Sequence, residues 1–457
     1  MLKKILTLVV LLLLSACSQK TPEIDGSKSR FVNKFYPAKI DSRYVEGDVT
    51  KKKYPIIFLF NGYEGAWRNS TVSLHLQNMG YHVVSIGYYD KAGLSNNLSR
   101  VNIDEIKRIM DDYKRYKSVD GEAMGIIGRG KGAELALLMA SYYPDIKMVV
   151  GISAPHVVFQ ASNATLATHS SWVHKGKEVD FVAYPKFSTT ALKTIFRLMR
   201  REVNDYRDLH DLAIEDDKVV KRALIEVEKI KGDIFLASVK DDKLWDSVFM
   251  SQKIMERLKE KEFSHRYEHK TYNGEWFLIG DDYQKGWSDI YGFIGESLES
   301  EYLREKFKRF DRDSNALLSY DEYLLYDENR WDRYLEQNSV EMLYLCDSNR
   351  NQKIDFSELQ VDGISDIYCV VSDDREMTIN RPIVKNGCPF GQHYLKKLDF
   401  NGDGTISAEE IYQLNSQRKR DKIYIDRKRV RNQKEFAKAD RDSSGNLSFI
   451  EWVGILK

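Results

Sequence analysis

Proline is scarce in this chain, 8 among 457 residues, and cysteine scarcer still, at 4. Neither sign of charge dominates, since 70 Lys and Arg stand against 69 Asp and Glu. A formal net charge of +1 gives no global attraction to nucleic acid or to an acidic surface, so no nucleic-acid partner is expected. Beyond the first residues, no apolar run is long enough to span a bilayer. The cysteines also make a poor zinc set, because Cys346, Cys369 and Cys388 are irregularly spaced. In an oxidising compartment Cys369 and Cys388 can close a loop, which strands Cys346. What remains is a globular, tyrosine-rich composition, long enough for two or three domains.

The chain opens MLKKILTLVVLLLLSACSQK: two lysines, a short apolar run, then small residues before Cys17. The run is too short for a membrane span and is followed by a cleavage-site pattern, so residues 1–16 are expected to be a signal peptide. Leu14-Ser15-Ala16-Cys17 resembles a bacterial lipobox, which implies lipidation of Cys17. Residues 17–30 then become a tether. Ser18 resembles the Gram-negative pattern for sorting to the outer membrane, so the expectation is a cell-envelope protein held to a membrane by Cys17, facing either side.

From residue 31 to 299, short β-branched runs alternate with helical periods. YPIIFLFNG, YHVVSIGYY, AMGIIG, IKMVVGISA and GDIFLASV read as buried strands, with amphipathic stretches such as NIDEIKRIMDDYKRY between them. That alternation predicts an α/β fold, a mostly parallel sheet with helices on both faces. Residues 156–230 break the rhythm and read as a cap or insertion. From 300 to 457 the pattern becomes helix, acidic loop, helix, which predicts an all-α domain of two EF-hand pairs.

Within this second part, DFNGDGTISAEE (399–410) fits the twelve-residue calcium loop. Asp399, Asn401, Asp403 and Glu410 offer side-chain oxygens, Thr405 offers its main-chain carbonyl, Gly404 permits the turn and Ile406 fills the apolar eighth position. DRDSSGNLSFIE (440–451) repeats it with Asp440, Asp442, Ser444, Asn446 and Glu451 around Gly445. Two further loops lack the sixth-position glycine. DRDSNALLSYDE (311–322) keeps Asp311, Asp313, Asn315, Leu317 and Glu322 but has Ala316; DSNRNQKIDFSE (347–358) keeps Asp347, Asn349, Asn351, Lys353, Asp355 and Glu358 but has Gln352. A side chain forced left-handed costs roughly 1 kcal/mol, so weaker binding is expected there. The expected cofactor is calcium (Ca2+), and sequence order suggests pairing Leu318 with Ile354 and Ile406 with Leu447.

GIIGRGKGAEL (125–135) decides the rest. As a phosphate loop it fails twice: Gly132 occupies the Ser/Thr position, and Gly125 lies inside the strand. As the strand-turn-helix of a G-x-S-x-G nucleophile elbow the context fits, but the central residue is Gly130. This stretch, with its downstream helix, resembles the acyl-CoA thioester hydrolase and bile acid-CoA:amino acid N-acyltransferase family over roughly 55–280. The resemblance implies an α/β-hydrolase domain with a triad. Carried over position by position, the nucleophile falls on Gly130, the acid on Asp242 (with Asp241 beside it) and the histidine on Phe277.

Two of three catalytic groups are thus replaced, which implies a binding or scaffolding module for an acyl or carboxylate ligand or a protein partner. A remnant oxyanion hole would lie near Tyr63 and Lys131. The competing reading is an active (thio)ester hydrolase or acyltransferase with a rearranged site, Ser153 as nucleophile and His156, His265 or His269 as base, stabilised or regulated by calcium.

Overall fold

A computed structural model describes residues 32–39, 51–62, 70–89, 97–161, 168–185, 206–276, 280–326 and 422–455, with 354–355, most of 399–411 and a few isolated positions. The chain divides into two compact units, Met1–Arg309 with Phe449–Lys457, and Phe310–Ser448. Residues 1–30, expected to hold a signal peptide and a tether with Cys17 between them, lie outside the described residues. Among the described residues, no helix is long and apolar enough to cross a membrane.

The first unit is built on a seven-stranded sheet. Its strands are β1 (Val32–Tyr36), β2 (Tyr54–Phe60), β3 (His82–Gly87), β5 (Val119–Arg129), β6 (Met148–Ile152), β9 (Asp233–Val239) and β10 (Tyr267–Tyr272), in the order β1-β3-β2-β5-β6-β9-β10. A small second sheet joins β4 (Val101–Asn102), β7 (Trp172–His174) and β8 (Lys177–Glu178). In the large sheet only β1 runs antiparallel to its neighbour; β2, β3, β5, β6, β9 and β10 pair in parallel. Helices α1 (Ser70–Asn78), α2 (Ile103–Lys114), α3 (Lys131–Tyr142), α4 (Arg207–Ala213), α5 (Asp217–Ala223), α6 (Ser247–Glu260), α7 (Tyr283–Ser297) and α8 (Glu301–Phe310) follow in chain order. After them, α9 (Lys422–Ala439) lies in the second unit and α10 (Phe449–Ile455) returns to the first.

The alternation of side chains along a strand explains why the central strands read as continuous apolar runs. Ile56, Phe58 and Phe60 join Ile126, Val149 and Leu236 in one core with Ile106 of α2, Leu137 of α3 and Ile254 of α6. Phe235, of opposite parity to Leu236, meets Phe293 of α7 at 5.1 Å. Both faces are therefore covered, and each fully buried side chain of this size contributes roughly 1.5–3 kcal/mol.

The predicted strands all form. The two edge strands were not anticipated, for a common reason. An edge strand faces solvent on one side, and β10 (YEHKTY) is only half-buried along most of its length, so its charge masks the pattern.

The compact unit also extends past the Glu299 boundary expected from sequence and takes back the last nine residues, Phe449–Lys457. Aromatic packing is the cause. Phe307 of α8 meets Phe449 and Trp452 of α10 at 5.4 and 5.3 Å, and the Arg304 guanidinium lies 4.3 Å over the Phe449 ring. Val453 packs on Gly295 of α7, where even a Cβ would come within 2.8 Å of it.

In the second unit, the short strands of the acidic loops are β11 (Leu317–Ser319), β12 (Ile354–Asp355), β13 (Thr405–Ile406) and β14 (Asn446–Ser448). β11 pairs with β14, placing Leu318 opposite Leu447, and β12 pairs with β13, placing Ile354 opposite Ile406. This corrects the order expected from sequence: the first loop pairs with the fourth and the second with the third. Packing within the unit goes with this order: Phe436 of α9, which leads into the fourth loop, meets Tyr320 and Tyr323 at the exit of the first at 5.1 and 5.5 Å.

Candidate functional site

One residue separates the end of β5 at Arg129 from the start of α3 at Lys131. That residue, Gly130, has φ 55° and ψ −121°, in a region closed to most side chains. Its N–H donates to the Ile152 carbonyl at 2.9 Å, and its carbonyl accepts from the Ala133 and Glu134 N–H groups at 2.9 and 3.1 Å. A Cβ on Gly128 would collide with the Gly132 backbone, and one on Gly132 with the Phe60 and Asn61 carbonyls. The flanking glycines are thus fixed by close backbone approach, and the strained geometry of a nucleophile elbow is intact. Gly130, at its apex, carries no side chain.

The first turn of α3 carries charges that sequence reading did not connect. Lys131 and Glu134 are both fully buried and form an ion pair. Glu134 also accepts from Trp172 Nε1 at 2.6 Å and from the Phe159 N–H at 3.1 Å, while Lys131 Nζ donates to the Phe159 carbonyl at 3.0 Å. Burial drives the lysine pKa down and the glutamate pKa up, against the attraction between them. Each charge has hydrogen-bond partners, the condition under which a buried pair is tolerated. An i, i+3 spacing at a helix start was the available signal.

Asp242 follows β9 and is 1% exposed, whereas Asp241 is exposed; the carboxylate in the interior is Asp242. Its Oδ1 accepts the Leu244 N–H at 3.0 Å. Among the described residues, its Oδ2 is buried with no partner at hydrogen-bonding geometry, and so is the Ser153 hydroxyl. Burial pushes the Asp242 pKa up to about 6, although the Ser153 hydroxyl lies close enough, with the Leu244 N–H, Ser247 and Arg207, to offset part of the rise. In a working triad the oxygen left bare here would hold the histidine.

Among the described residues, no hydrogen bond joins Ser153 Oγ to His156, His265 or His269. Ser153 is completely buried, in a left-handed conformation at φ 52°, and its carbonyl accepts from Trp245 Nε1 at 3.0 Å. His156 is buried edge-on to Phe249, and desolvation lowers its pKa to about 4. His269 Nε2 lies 3.0 Å from Ser238 Oγ, and His265 lies beside Phe263.

A histidine that sequence reading passed over, His210, is buried among aromatics. Its ring meets Phe159 and Trp245 edge-on at 4.7 and 5.1 Å, with Nδ1 on the Tyr206 carbonyl and Nε2 on the Tyr184 hydroxyl, both at 2.9 Å. Burial takes its pKa down to about 3, so it is neutral, and both nitrogens are engaged. Phe277 and Tyr63 lie outside the described residues. Next to Tyr63, Asn61 Oδ1 accepts from the Gly62 N–H at 2.8 Å and from Arg129 Nε, which pins the end of β2 beside the elbow.

The calcium loops offer a second constellation. Ligand oxygens of Asp311, Asp313 and Glu322 lie within 4.8 Å of one another, as do those of Asp440, Asp442 and Glu451 within their own twelve-residue stretch. Two carboxylates and a bidentate-capable glutamate, with carbonyl and amide oxygens nearby, form the hard oxygen set that calcium requires. In loop 311–322, Glu322 accepts from the Arg312 and Ser319 N–H groups at 2.7 and 2.9 Å, and Asn315 Oδ1 accepts from the Leu317 N–H at 2.7 Å.

Ala316 takes φ 64°, so this loop reaches the left-handed turn without glycine. The fourth position is left-handed too, at Ser314, Gly402 and Ser443, a requirement the sequence reading did not include. In loop 440–451, the Ser444 N–H donates to Asp440 and Asp442 at 2.9 and 3.0 Å, and Asn446 carries the seventh-position carbonyl. In loop 399–410, Glu410 is buried and accepts from the Ser407 N–H at 2.8 Å, the Asp403 N–H donates to Asn401 Oδ1 at 2.8 Å, and the Thr405 N–H to Asp403 Oδ1 at 2.9 Å. Its Asp399 accepts from the Asp403 N–H at 3.0 Å. Of loop 347–358 only the backbone of 354–355 is described, so Asp347, Asn349, Asn351, Lys353 and Glu358 lie outside the described residues.

Residues 112–280 match the family model described as "BAAT / Acyl-CoA thioester hydrolase C terminal", a window that contains Gly130, Asp242 and Phe277. Residues 392–414 match an EF-hand model, a short match containing the third loop. Acyl-coenzyme A thioesterase 1 of Mus musculus is 28% identical over 184 residues, 40% of this chain and 39% of its own length. Acyl-coenzyme A thioesterase 6 of Mus musculus is 28% identical over 208 residues, 46% of this chain and 45% of its own. The chain spans about two-fifths of the length of the first of these relatives, 39%. Among solved structures, acetyl xylan esterase 1 from Thermoanaerobacterium sp. JW/SL YS485 aligns with 59% of this chain and 79% of its own at 16% identity, with a TM-score of 0.35. Residues 112–280 of the first unit are thus similar to acyl-CoA thioesterase domains, and the unit is built on a mostly parallel sheet.

Proposed function

We propose that this is a calcium-binding lipoprotein of the cell envelope whose hydrolase-like domain binds or scaffolds without turning substrate over. The observation that carries the reading is the pairing of two features: a strand-to-helix turn with Gly130 at its apex and a buried acid, Asp242, to which no histidine is hydrogen-bonded among the described residues. Nucleophilic acyl transfer needs an attacking atom, a base within reach and a group to orient that base. Only the orienting group remains among these positions. Phe277 at the histidine position is a second, independent loss. The backbone of the turn survives, so an acyl or carboxylate group is the expected ligand class.

Calcium fits the oxygen sets of loops 311–322 and 440–451, and Cys17 supplies the membrane anchor. In this reading the EF-hand loops hold the second unit folded. The test is turnover of acyl-CoA and of activated esters by the full chain. Background rates are expected, and covalent acyl trapping on any residue of the chain overturns the proposal. The double change Gly130→Ser with Phe277→His is expected to create esterase activity. A folded but inert double variant counts against the positional assignment.

A further inference from the structure

The stretch that interrupts the strand-helix rhythm, 156–230, builds a cavity against the body of the first unit, away from the elbow. Helix α3 starts at the elbow with Lys131 and ends at Tyr142, about 16 Å further along its axis at 1.5 Å per residue. Beside that far end lies a cavity of about 360 Å³, lined by Leu138 and Tyr142 of α3, Arg257 of α6 and side chains of the insertion. Small-molecule sites occupy roughly 300–1,000 Å³, so the space is of the right order for a ligand. Main-chain bonds fix the insertion here: the Val158 N–H donates to the Ala223 carbonyl at 2.9 Å, and the Ile225 N–H to the His156 carbonyl at 3.0 Å.

Its charges are of both signs, and only some are matched. Glu226 accepts from Lys229 Nζ at 2.6 Å, and Arg257 donates through Nε and Nη2 to Glu228, both at 2.6 Å. That fork holds the guanidinium in place and leaves Nη1 unengaged among the described residues. Lys221 and Arg222, in the last turn of α5, line the cavity and form no ion pair among the described residues. Asp180, which follows β8, lines it too and is likewise unpaired among them. Tyr142 stacks on His174 at 4.1 Å, and His174 Nδ1 lies 3.0 Å from Asp104. Burial, with the nearby charges of Glu226, Asp180 and Asp104, pushes the Tyr142 phenol up to about 12, so it keeps its proton and stays a donor. Leu138, Val179 and Leu224 supply the apolar part of the wall.

A plain anion would meet Asp180, and a plain cation would meet Lys221 and Arg222. A molecule with one charge of each sign, separated by an apolar body, satisfies all three. We propose that this cavity binds a short apolar peptide with free termini, its carboxylate on Lys221 and Arg222, its ammonium on Asp180 and its side chains against Leu138, Val179 and Leu224. Charge-assisted hydrogen bonds supply the strength. Arg257 and Tyr142 are already held by Glu228 and His174, so little ordering is left for binding to do. The cavity shares no residue with the elbow or the acidic loops, and the proposal stands apart from what either of them binds.

The test is isothermal titration calorimetry of the full chain with leucyl-leucine. Leucyl-leucinamide lacks the carboxylate and N-acetyl-leucyl-leucine lacks the ammonium, and each should bind at least about tenfold more weakly. In Lys221→Ala/Arg222→Ala the difference between leucyl-leucine and its amide should vanish. In Asp180→Asn the difference between leucyl-leucine and its acetylated form should vanish. All three side chains are exposed, so both variants should fold, with an unchanged thermal midpoint as the check. Absence of heat from leucyl-leucine at millimolar concentration, equal binding of the three ligands, or a variant that preserves its difference overturns the proposal.

Discussion

Replacing Asp242 with Asn should stabilise the protein, by an amount that grows with pH. The carboxyl has a folded-state pKa of about 6 because it is buried. An unfolded aspartate titrates at about 3.9. A folded-state pKa raised in this way means that the group's contribution is most favourable below about pH 3.9 and is lost as pH climbs through about 6. By linkage, the charged form then costs the native state about 0.5 kcal/mol at pH 4, about 1.5 at pH 5 and about 3 at pH 8.

Asparagine has no charge to desolvate. Its oxygen can keep the Leu244 N–H bond, and its amide would lie near the Ser153 hydroxyl. Urea unfolding of both proteins at pH 5 and pH 8 reads the difference. The variant should gain roughly 1 to 1.5 kcal/mol more at pH 8 than at pH 5. A variant less stable than the parent at pH 8, or a gain that does not change with pH, refutes the view that Asp242 is a buried, unserved acid. In a working hydrolase, by contrast, the same change would remove the group that orients the base.

Other expectations follow from the same geometry. Glu134→Ala strands the Lys131 charge and leaves Trp172 Nε1 and the Phe159 N–H without an acceptor, so a loss of about 3–5 kcal/mol is expected in chemical denaturation. Gly132→Ala, which drives a Cβ into the Phe60 and Asn61 carbonyls, should reduce soluble folded protein sharply, whereas Gly176→Ala, with open space around it, should cost only about 1 kcal/mol for its left-handed backbone. Ala316→Gly relieves a left-handed alanine and should add about 1 kcal/mol of stability by thermal unfolding with calcium present. An unchanged midpoint would mean that the strain is absent.

Much of this protein is legible in its sequence because the signals are local. The five inner strands announce themselves as apolar runs, since a parallel strand buried on both faces has no polar side to show. The elbow is legible in Gly128, Gly130 and Gly132, because a one-residue turn between strand and helix leaves no room for a Cβ on either flank. The acidic loops are legible because their oxygen-bearing side chains come at fixed spacings.

What the tertiary structure alone decided is which of these local pieces meet. Charge at the half-buried edge hid β10, and nothing near Lys131 pointed to Trp172 or Phe159, which arrive from distant segments to satisfy its pair. The exposure of Asp241 and the burial of Asp242, one residue apart, depend on the loop leaving β9. The loop partners follow the same logic. Neighbouring loops are equally able to pair by sequence, but Phe436 of α9 packs on Tyr320 and Tyr323, and the outermost loops share the ladder that sets Leu318 opposite Leu447.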